Sequence, residues 1–283
     1  GKLKGHQVTL HIDPNVQPVA QQHRRIPFHL RSKVEAEIQS LLDEDIIEKA
    51  EGPTPWMSPI VTPLKPNDPD KIRLCVDMRS ANRAIMRERH VMPTLEDVIH
   101  DLNGATVFSK LDMNSAYHQL ELDESSRPIT VFSTHIGLFR YKRLFVGINS
   151  ASECFQTTIS QLLTGIPGVL NISDDILVYG SSTSDHNANL KAVIQRLLES
   201  GLTLNKDKCK LNAKHVEFYG HIFSADGCTV HPKHVKTIID LAPPTNAAET
   251  RSFLSMAQYS ARFIKDFATI SEPLRNLTHQ NMA

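Results

Sequence analysis

Residues 169–180 read Val-Leu-Asn-Ile-Ser-Asp-Asp-Ile-Leu-Val-Tyr-Gly. Two apolar runs flank the polar centre Ser173-Asp174-Asp175, and this pattern predicts a β-hairpin. Adjacent aspartates are an unusual choice for the tip of a hairpin, because like charges repel and Asn-Gly or Asp-Gly forms a better turn. A bound divalent cation would remove the repulsion. Mg²⁺ prefers carboxylate oxygens and keeps coordination positions for substrate phosphates.

A third carboxylate, Asp112, ends another apolar segment, residues 106–111, which we predict to be a central strand. If this strand lies beside the hairpin, the three carboxylates converge on one spot. Such a cluster can hold two cations about 3.5–4 Å apart for in-line phosphoryl transfer. An Asp-Asp pair alone is more often a polar turn, but Asp112 and the motifs described below favour the metal site.

The other predicted elements alternate irregularly between helix and strand, which favours an α+β fold with a mainly antiparallel sheet. Apolar residues from Leu30 to Ile46 form one stripe and predict a helix over residues 30–49. Further helices are expected over 94–102, 150–163, 184–201 and much of the C-terminal segment, and strands over 60–64, 72–77, 129–146 (a meander with Gly137 in its turn) and 216–223. Helix caps are predicted at Ser150 with Glu153, at Ser184 with Gly201 as the stop, and at Asn246 with Glu249.

The composition is that of an ordinary globular protein, since the 283 residues are 40% hydrophobic and 22% charged. The 31 basic and 31 acidic residues cancel, so net charge does not indicate a nucleic-acid partner. Basic residues nevertheless cluster, and together these clusters could line a groove that neutralises phosphates. They lie at residues 23–25, 71–89, 140–143 and 206–210.

Several function classes are disfavoured. The scattered cysteines Cys75, Cys154, Cys209 and Cys228 argue against a disulfide scaffold and favour a reducing, intracellular setting. Cys228 with His231 and His234 suggests zinc only superficially, and a polar turn is the favoured interpretation. No apolar stretch approaches the roughly 18 residues that span a bilayer, and the first residues lack a signal peptide's apolar region, so we expect no membrane partner. Neither G-x-S-x-G nor a P-loop motif occurs.

Ordered motifs through nearly the whole chain resemble those of reverse transcriptases from gypsy-type LTR retrotransposons and retroviruses. Ser109-Lys-Leu-Asp-Met-Asn-Ser-Ala-Tyr-His-Gln119 resembles the first palm motif, and Asn171-Ile-Ser-Asp-Asp-Ile-Leu-Val178 resembles the second catalytic motif. The fingers motif is resembled by Ile72-Arg-Leu-Cys-Val-Asp-Met-Arg-Ser-Ala-Asn82, and the motif beneath the template base and nucleotide by Leu144-Phe-Val-Gly-Ile-Asn-Ser-Ala-Ser-Glu-Cys-Phe-Gln156. The lysine-bearing segment is resembled by Gly201-Leu-Thr-Leu-Asn-Lys-Asp-Lys-Cys209, and the primer grip by Phe218-Tyr-Gly-His221.

The resemblance implies a right-hand polymerase, in which fingers, palm and thumb surround an antiparallel palm sheet. We expect an extended N-terminal arm over residues 1–28, interleaved fingers and palm over 29–225, and the start of a thumb over 226–283. No RNase H domain is expected within this chain. The implied setting is the cytoplasm, in a retroelement particle.

The implied activity is that of an RNA-directed DNA polymerase, which copies RNA or DNA by two-metal nucleotidyl transfer. Its partners would be a template with an annealed primer and deoxynucleoside triphosphates. Asp112, Asp174 and Asp175 would be catalytic and would bind two Mg²⁺ ions, for which Mn²⁺ can substitute. The resemblance assigns the incoming nucleotide to Lys65, Arg73, Tyr117, Val146 and Lys208, and the primer grip to Phe218, Tyr219, Gly220 and His221.

Two alternatives stay open. A viral RNA polymerase shares the chemistry, but an aromatic ring at Tyr117 would clash with a 2′-hydroxyl and so favours DNA as the product. A decayed or repurposed retroelement domain that only binds nucleic acid is the other alternative. Its support is Ile172, where the family usually has tyrosine, and Phe145-Val146-Gly147, where the family usually begins with proline. We expect both departures to affect the packing of primer end and nucleotide rather than the metal ligands.

Overall fold

The computed structural model describes residues 1–65, 68–88, 93–218 and 220–278, and it combines helices with short strands. The α-helices are α1 (Arg31–Asp43), α2 (Leu95–Asp101), α3 (Ala151–Leu163), α4 (Thr183–Glu199), α5 (Pro232–Ile239), α6 (Ala247–Tyr259) and α7 (Phe267–Asn276). Short 3₁₀ helices lie at Phe28–Leu30, Ala81–Arg83, Ala116–Gln119, Glu124–Ser126, Pro128–Thr130 and Ala261–Phe263. Across these described ranges, no helix is both long enough and apolar enough to cross a membrane.

Within the described residues, the strands form five small sheets. In chain order they are β1 (Gln7–Val8), β2 (Ile47–Lys49), β3 (Ser58–Val61), β4 (Leu64–Lys65), β5 (Asp68–Ile72), β6 (Cys75–Val76), β7 (Val107–Asp112), β8 (Glu121–Leu122), β9 (Phe132–Thr134), β10 (Gly137–Tyr141), β11 (Val169–Ile172), β12 (Asp175–Gly180), β13 (Lys210–Ala213), β14 (His215–Phe218), β15 (His221–Ser224) and β16 (Gly227–Val230).

The central sheet has four antiparallel strands in the order β11-β12-β7-β13. The hairpin predicted over residues 169–180 is β11-β12, and the predicted strand before Asp112 is β7, so both predictions are confirmed. The expectation that the two lie side by side is also confirmed, because β12 pairs with β7 along its whole length.

Both faces of the central sheet are buried. Leu111, Ile176 and Val178 belong to the main core, which also includes Phe155 and Ile159 of α3 and Val193 and Leu197 of α4. Phe108, Ile172 and Leu177 belong to a second apolar cluster with Val98 of α2 and Val216, Phe218 and Phe223 of the β14-β15-β16 sheet. Alternating side chains point to opposite faces of a strand, so one strand supplies both clusters.

A second sheet has five strands in the order β2-β10-β9-β3-β6, and β4 and β5 form a separate hairpin. The meander predicted over residues 129–146 is one hairpin, β9-β10. Gly137 follows its turn with φ +135°, a backbone conformation that favours glycine. The two strands predicted at 60–64 and 72–77 are each interrupted, because β3 and β6 pair in one sheet while β4 and β5 pair in another.

Helix α1 is shorter than predicted. It ends at Asp43, and Asp45 has a φ of 58°, which breaks the helix before Ile46. The following residues form β2, where Ile47 pairs with Tyr141 of β10. The prediction for residues 44–49 was therefore wrong, because pairing with a distant strand overrode the helical spacing of the apolar residues.

Two of the predicted caps were wrong in detail. Ser150 precedes α3 but its side chain makes no capping hydrogen bond, and Glu153 pairs with Arg87 instead. Helix α4 is capped by Ser182, whose side chain accepts a hydrogen bond from the Asp185 N–H, so Ser184 lies inside the first turn. Gly201, with φ +79°, follows α4 as predicted.

The C-terminal segment is helical as predicted, with α5, α6 and α7 in succession. Asn246 and Glu249 form the expected cap of α6: the Asn246 side chain accepts from the Glu249 N–H and donates to its carboxylate. This segment contacts the rest of the chain through an ion pair of Arg262 with Glu96.

Within residues 1–28 the chain is largely extended, but parts of it are packed into the body. Strand β1 pairs in parallel with β8, and Leu3, Val8, Leu10 and Ile26 are buried. The backbone N–H groups of Lys2 and Lys4 donate to the carbonyls of Gly201 and Ser200. The division into arm, fingers with palm, and thumb stays a prediction from the sequence.

Candidate active site

Two of the predicted carboxylates are direct partners across the central sheet. Asp175, the first residue of β12, lies opposite Asp112, the last residue of β7. Residues that lie opposite each other in antiparallel strands project from the same face, with their Cβ atoms about 5 Å apart. On its other side Asp175 pairs with Ile172 of β11, so a row of Ile172, Asp175 and Asp112 crosses the end of the sheet.

The third carboxylate, Asp174, is exposed in the turn of the hairpin. The turn depends on Ser173, which has a φ of 53°. Gln156 of α3 stabilises this turn with two hydrogen bonds. The Gln156 side-chain oxygen accepts from the Ser173 N–H at 2.8 Å, and the Gln156 side-chain amide donates to the Asn171 carbonyl at 2.8 Å. Gln156 is buried and holds the Asp174 turn in place, a role that its position in a helix motif did not reveal.

The backbone of Asp112 is also held by contacts with a following turn. Its carbonyl accepts from the Asn205 N–H at 2.8 Å, and its N–H lies 3.4 Å from Cys209 Sγ. The same turn carries Lys208, whose ammonium nitrogen is 3.7 Å from Asp112 Oδ1. The predicted nucleotide-binding lysine and the predicted metal ligand are therefore brought together.

Lys110 is a member of the site that the sequence interpretation did not single out. Its ammonium nitrogen lies 2.6 Å from Asp175 Oδ2. Residues two apart in a strand face the same way, so the strand period alone could have placed Lys110 beside Asp112.

The donor set fits a hard divalent cation. Asp112, Asp174 and Asp175 offer only carboxylate oxygens, the ligands that Mg²⁺ prefers, and each side chain is at least partly exposed. The side chains are not gathered into a finished coordination sphere: among the described residues, no three His, Cys, Asp or Glu groups are arranged to hold a metal. Asp112 and Asp175 instead face the ammonium groups of Lys208 and Lys110.

The sequence favoured a polar turn for Cys228, His231 and His234. Cys228 lies in β16, His234 lies in α5, and His231 stands at the junction between the two elements. His231 caps α5 by accepting from the Lys233 N–H, and its other ring nitrogen lies 3.3 Å from Glu217.

Tyr117 lies in the 3₁₀ helix Ala116–Gln119, five residues after Asp112, and is half-buried. Its hydroxyl is 3.2 Å from Ser152 Oγ, and its ring centroid is 5.1 Å from that of Phe155. Both neighbours belong to α3, so the ring is fixed against this helix while part of it remains open to solvent.

Three further residues were predicted to contact the nucleotide, namely Val146, Arg73 and Lys65. Val146 is 81% exposed, in a loop held by Asn82 and Asn149. Asn82 donates to the Gly147 carbonyl at 2.8 Å and accepts from the Asn149 N–H at 3.0 Å. Arg73 is exposed just after β5, and within the described part of the chain no ion pair joins it to the three aspartates. Lys65 lies in β4, but its side chain falls outside the described residues.

The predicted primer grip is only partly described. Phe218 and His221 are buried, and Tyr219 lies outside the described residues. Gly220 has a φ of 74°, and the Tyr259 hydroxyl lies 2.9 Å from where a Cβ would be. The ring of His221 packs against those of Tyr259 and Phe263. Both described side chains of this segment are therefore buried, and its role as a primer grip stays a prediction.

Ile172 is not placed as the sequence suggested. It is 8% exposed and packs in the second apolar cluster, with Leu177 and Phe218 among its members. The sequence interpretation set Ile172 against the primer end. The strand pleat instead turns its side chain into this buried cluster, on the face of the sheet that also carries Asp175.

Two basic residues from clusters far apart in sequence, Arg24 and Arg79, meet at Asp77. Asp77 accepts hydrogen bonds from Arg79 Nε at 2.8 Å and from Arg24 NH2 at 2.9 Å. The hydrogen bond from Arg79 is the main reason that the pKa of Asp77 is lowered to about 2. One buried carboxylate therefore orients two largely exposed guanidinium groups.

A central antiparallel sheet with carboxylates at one end, flanked by a β-rich region and a helical segment, is the architecture of the right-hand nucleic-acid polymerases. Known structures agree. A foamy viral protease-reverse transcriptase (dRH) in complex with double-stranded DNA aligns with a TM-score of 0.83 at 24% identity, over 98% of this chain and 48% of that one. The foamy viral enzyme in complex with an RNA/DNA hybrid aligns with a TM-score of 0.79 at 22% identity, over 100% and 38%.

Sequence comparison defines the family. The family of reverse transcriptases (RNA-dependent DNA polymerases) matches residues 63–223. The Pol polyprotein of transposon opus from Drosophila melanogaster is 34% identical over 96% of this chain, and that of transposon gypsy from the same species is 32% identical over 86%. This chain belongs to the reverse transcriptase family, whose members generally depend on divalent metals. It spans about a quarter of the length of these curated relatives, 27% and 24% respectively.

Proposed function

We propose that this chain is the polymerase core of a retroelement reverse transcriptase, which extends a primer along an RNA or DNA template with deoxynucleoside triphosphates. The observation that carries the proposal is the pairing of Asp112 with Asp175, one residue from Asp174. The family membership supports it, as do the complexes of foamy viral relatives with double-stranded DNA and with an RNA/DNA hybrid.

Asp112, Asp174 and Asp175 would hold two Mg²⁺ ions, with Mn²⁺ as a substitute. When bound, these ions supply activation of the primer 3′-oxygen and stabilisation of the leaving pyrophosphate. The residues of the chain do the rest. Gln156 and Asn205 keep the Asp174 turn and the Asp112 backbone in fixed positions, which protects the alignment that such a reaction needs.

The nucleotide would lie between this carboxylate end and the fingers. Arg73, Lys65 and Lys208 would neutralise the triphosphate, and Lys208 is already beside Asp112. The half-exposed ring of Tyr117 would lie under the sugar and exclude a 2′-hydroxyl. The paired Arg24 and Arg79 would contact phosphates of the template strand. The four cysteines are free thiols, which supports the further proposal of an intracellular, cytoplasmic setting.

Primer extension on matched RNA and DNA templates, with Mg²⁺ and Mn²⁺ compared, tests this function. The unmodified chain should extend both primers, and Asp112→Asn should lose about 10³-fold or more in rate. Asp226→Asn, which removes an exposed carboxylate from the β15-β16 turn, is the matched control and should extend normally. Template binding without any extension, in the unmodified chain and under both metals, would instead identify a domain that only binds nucleic acid.

A further inference from the structure

Lys110 occupies an unexpected position for a charged residue. It lies in β7 between Phe108 and Asp112 on the same face, and its partners across the sheet are Leu177 of β12 and Lys210 of β13. Phe108 and Leu177 are fully buried members of the second apolar cluster. An apolar side chain would extend this cluster more favourably than a lysine, since a charge is costly to bury without a partner.

The ammonium group of Lys110 forms an ion pair with Asp175 of β12. Its ammonium nitrogen is 2.6 Å from Asp175 Oδ2, and the two side chains are only 26% and 32% exposed. The aliphatic stem can lie along the apolar row while the charged end reaches the carboxylates, as lysines commonly do at such boundaries. An ion pair that is shielded from solvent is stronger than an exposed one, so this contact holds better than a surface pair.

The charges at this end of the sheet are nearly balanced without any added ion. Three carboxylates lie on adjacent positions, and two ammonium groups face them. Lys208 is the looser of the two: its side chain is 66% exposed and its nitrogen is 3.7 Å from Asp112. Lys110 is therefore the firmly held positive charge among the carboxylates.

We infer that Lys110 is a built-in counter-ion of the metal site. It neutralises Asp175 when no divalent cation is bound, and it sets the affinity of the site by competing with the cation for that carboxylate. This is a positioning role rather than a catalytic one. The inference rests on the proposed function, because it requires that the three aspartates bind metal.

The direct test is to measure Mn²⁺ binding to the purified chain without nucleic acid. The electron paramagnetic resonance signal of free Mn²⁺ reports how much of the ion remains unbound. Lys110→Met keeps the unbranched stem and removes the charge. It should tighten Mn²⁺ binding by about three- to tenfold, because a positive charge close to the cation is lost. Lys110→Arg keeps the charge and should bind Mn²⁺ like the unmodified chain.

The matched control is Lys210→Met. Lys210 pairs with Lys110 across the sheet from β13 but is exposed, so it tests the loss of one positive charge nearby. Its Mn²⁺ affinity should stay within about twofold of the parent, since exposed charges are screened. In an Asp175→Asn background, Lys110→Met should no longer tighten binding, because the carboxylate for which it competes is gone.

Thermal unfolding gives a second readout. Saturating Mn²⁺ should raise the Tm of Lys110→Met by more than it raises the parent's, because a ligand that binds the folded chain more tightly stabilises it more. Equal Mn²⁺ affinity in Lys110→Met and Lys210→Met, with binding still lost in Asp112→Asn, would overturn the counter-ion inference and leave the proposed function intact. Mn²⁺ binding that is indifferent to Asp112→Asn would overturn both.

Discussion

The hydroxyl of Tyr117 lies 3.2 Å from Ser152 Oγ, on the first turn of the helix that also carries Phe155, whose ring centroid is 5.1 Å from that of Tyr117. Two contacts from one rigid helix fix the tyrosine ring, although part of it remains exposed. A ring held in this way can discriminate between sugars sterically, because it cannot move aside to make room for a 2′-hydroxyl on an incoming nucleotide.

Sugar selection should therefore depend on the ring and not on the hydroxyl. Tyr117→Ala should raise the incorporation of ribonucleotides relative to deoxynucleotides by about tenfold or more, a difference of at least about 1.4 kcal/mol between the two substrates. Tyr117→Phe keeps the ring and should preserve the discrimination. The measurement is the ratio of kcat/KM for a deoxynucleotide and its ribonucleotide, and an unchanged ratio in Tyr117→Ala would mean that the ring only fills the core.

The Gln156 side chain should matter to both stability and rate. Gln156→Ala removes the acceptor of the Ser173 N–H and the donor to the Asn171 carbonyl, both in buried surroundings. We expect a loss of about 2–3 kcal/mol in the free energy of unfolding, measured by denaturant titration. The extension rate should fall as well, by about 10²-fold, since the turn that carries Asp174 loses its support.

Gln161→Ala is the control for that change, because Gln161 is an exposed residue of the same helix. It should leave rate and stability close to those of the parent. If Gln156→Ala were destabilised but extended primers at the normal rate, the Asp174 turn would not need its fastening for catalysis.

Ile172→Tyr tests the residue that replaces the usual family tyrosine. The larger side chain must fit into the apolar cluster around Leu177 and Phe218, so we expect a loss of about 1–3 kcal/mol in stability. The extension rate at saturating nucleotide should nevertheless rise, because a tyrosine is long enough to carry its hydroxyl beyond the cluster to the sheet end beside Asp175, which the buried Ile172 side chain does not reach. Ile172→Val, which only shortens the side chain, should lower stability without raising the rate; a slower Ile172→Tyr enzyme would show that this hairpin has a different neighbour.

Asp77 should contribute stability that is lost in acid. Its pKa in the folded chain is about 2, below the ordinary value of 3.8, so its contribution is fully present above about pH 4 and disappears as the pH falls through 2. At neutral pH, Asp77→Asn should cost about 1–2 kcal/mol, reduced from the full shift because Arg79 and Arg24 are largely exposed.

The pH profile distinguishes this ion pair from simple packing. The difference in unfolding free energy between the parent and Asp77→Asn should shrink between pH 4 and pH 2 and remain flat above pH 5. Asp226→Asn should show no comparable change in this range. A difference that stayed constant down to pH 2 would mean that the guanidinium groups do not depend on the charge of Asp77.

The elements that the sequence predicted correctly are those with a local cause. The hairpin around Asp174, the strand before Asp112 and the cap of Asn246 with Glu249 each follow from apolar alternation or from adjacent polar residues. The errors arise where distant residues decide. Helix α1 stops early because Ile47 pairs with Tyr141, and Ile172 turns inward because its strand is buried on both faces. The contacts of Lys110 with Asp175 and of Gln156 with Ser173 required the strand register and the helix position, which no local pattern contains.

The early residues of the arm have a consequence for how the chain folds. The N–H groups of Lys2 and Lys4 bond to carbonyls at Gly201 and Ser200, and β1 pairs with β8 at residues 121–122. Lys2 and Lys4 therefore leave the ribosome about 200 residues before their partners are made, roughly 10–40 s at usual translation rates. Contacts so distant in sequence are slow to form. A nascent chain will carry Leu3, Val8 and Leu10 without all of their native partners during this interval, which leaves residues 1–10 open to chaperones and proteases until synthesis passes Gly201.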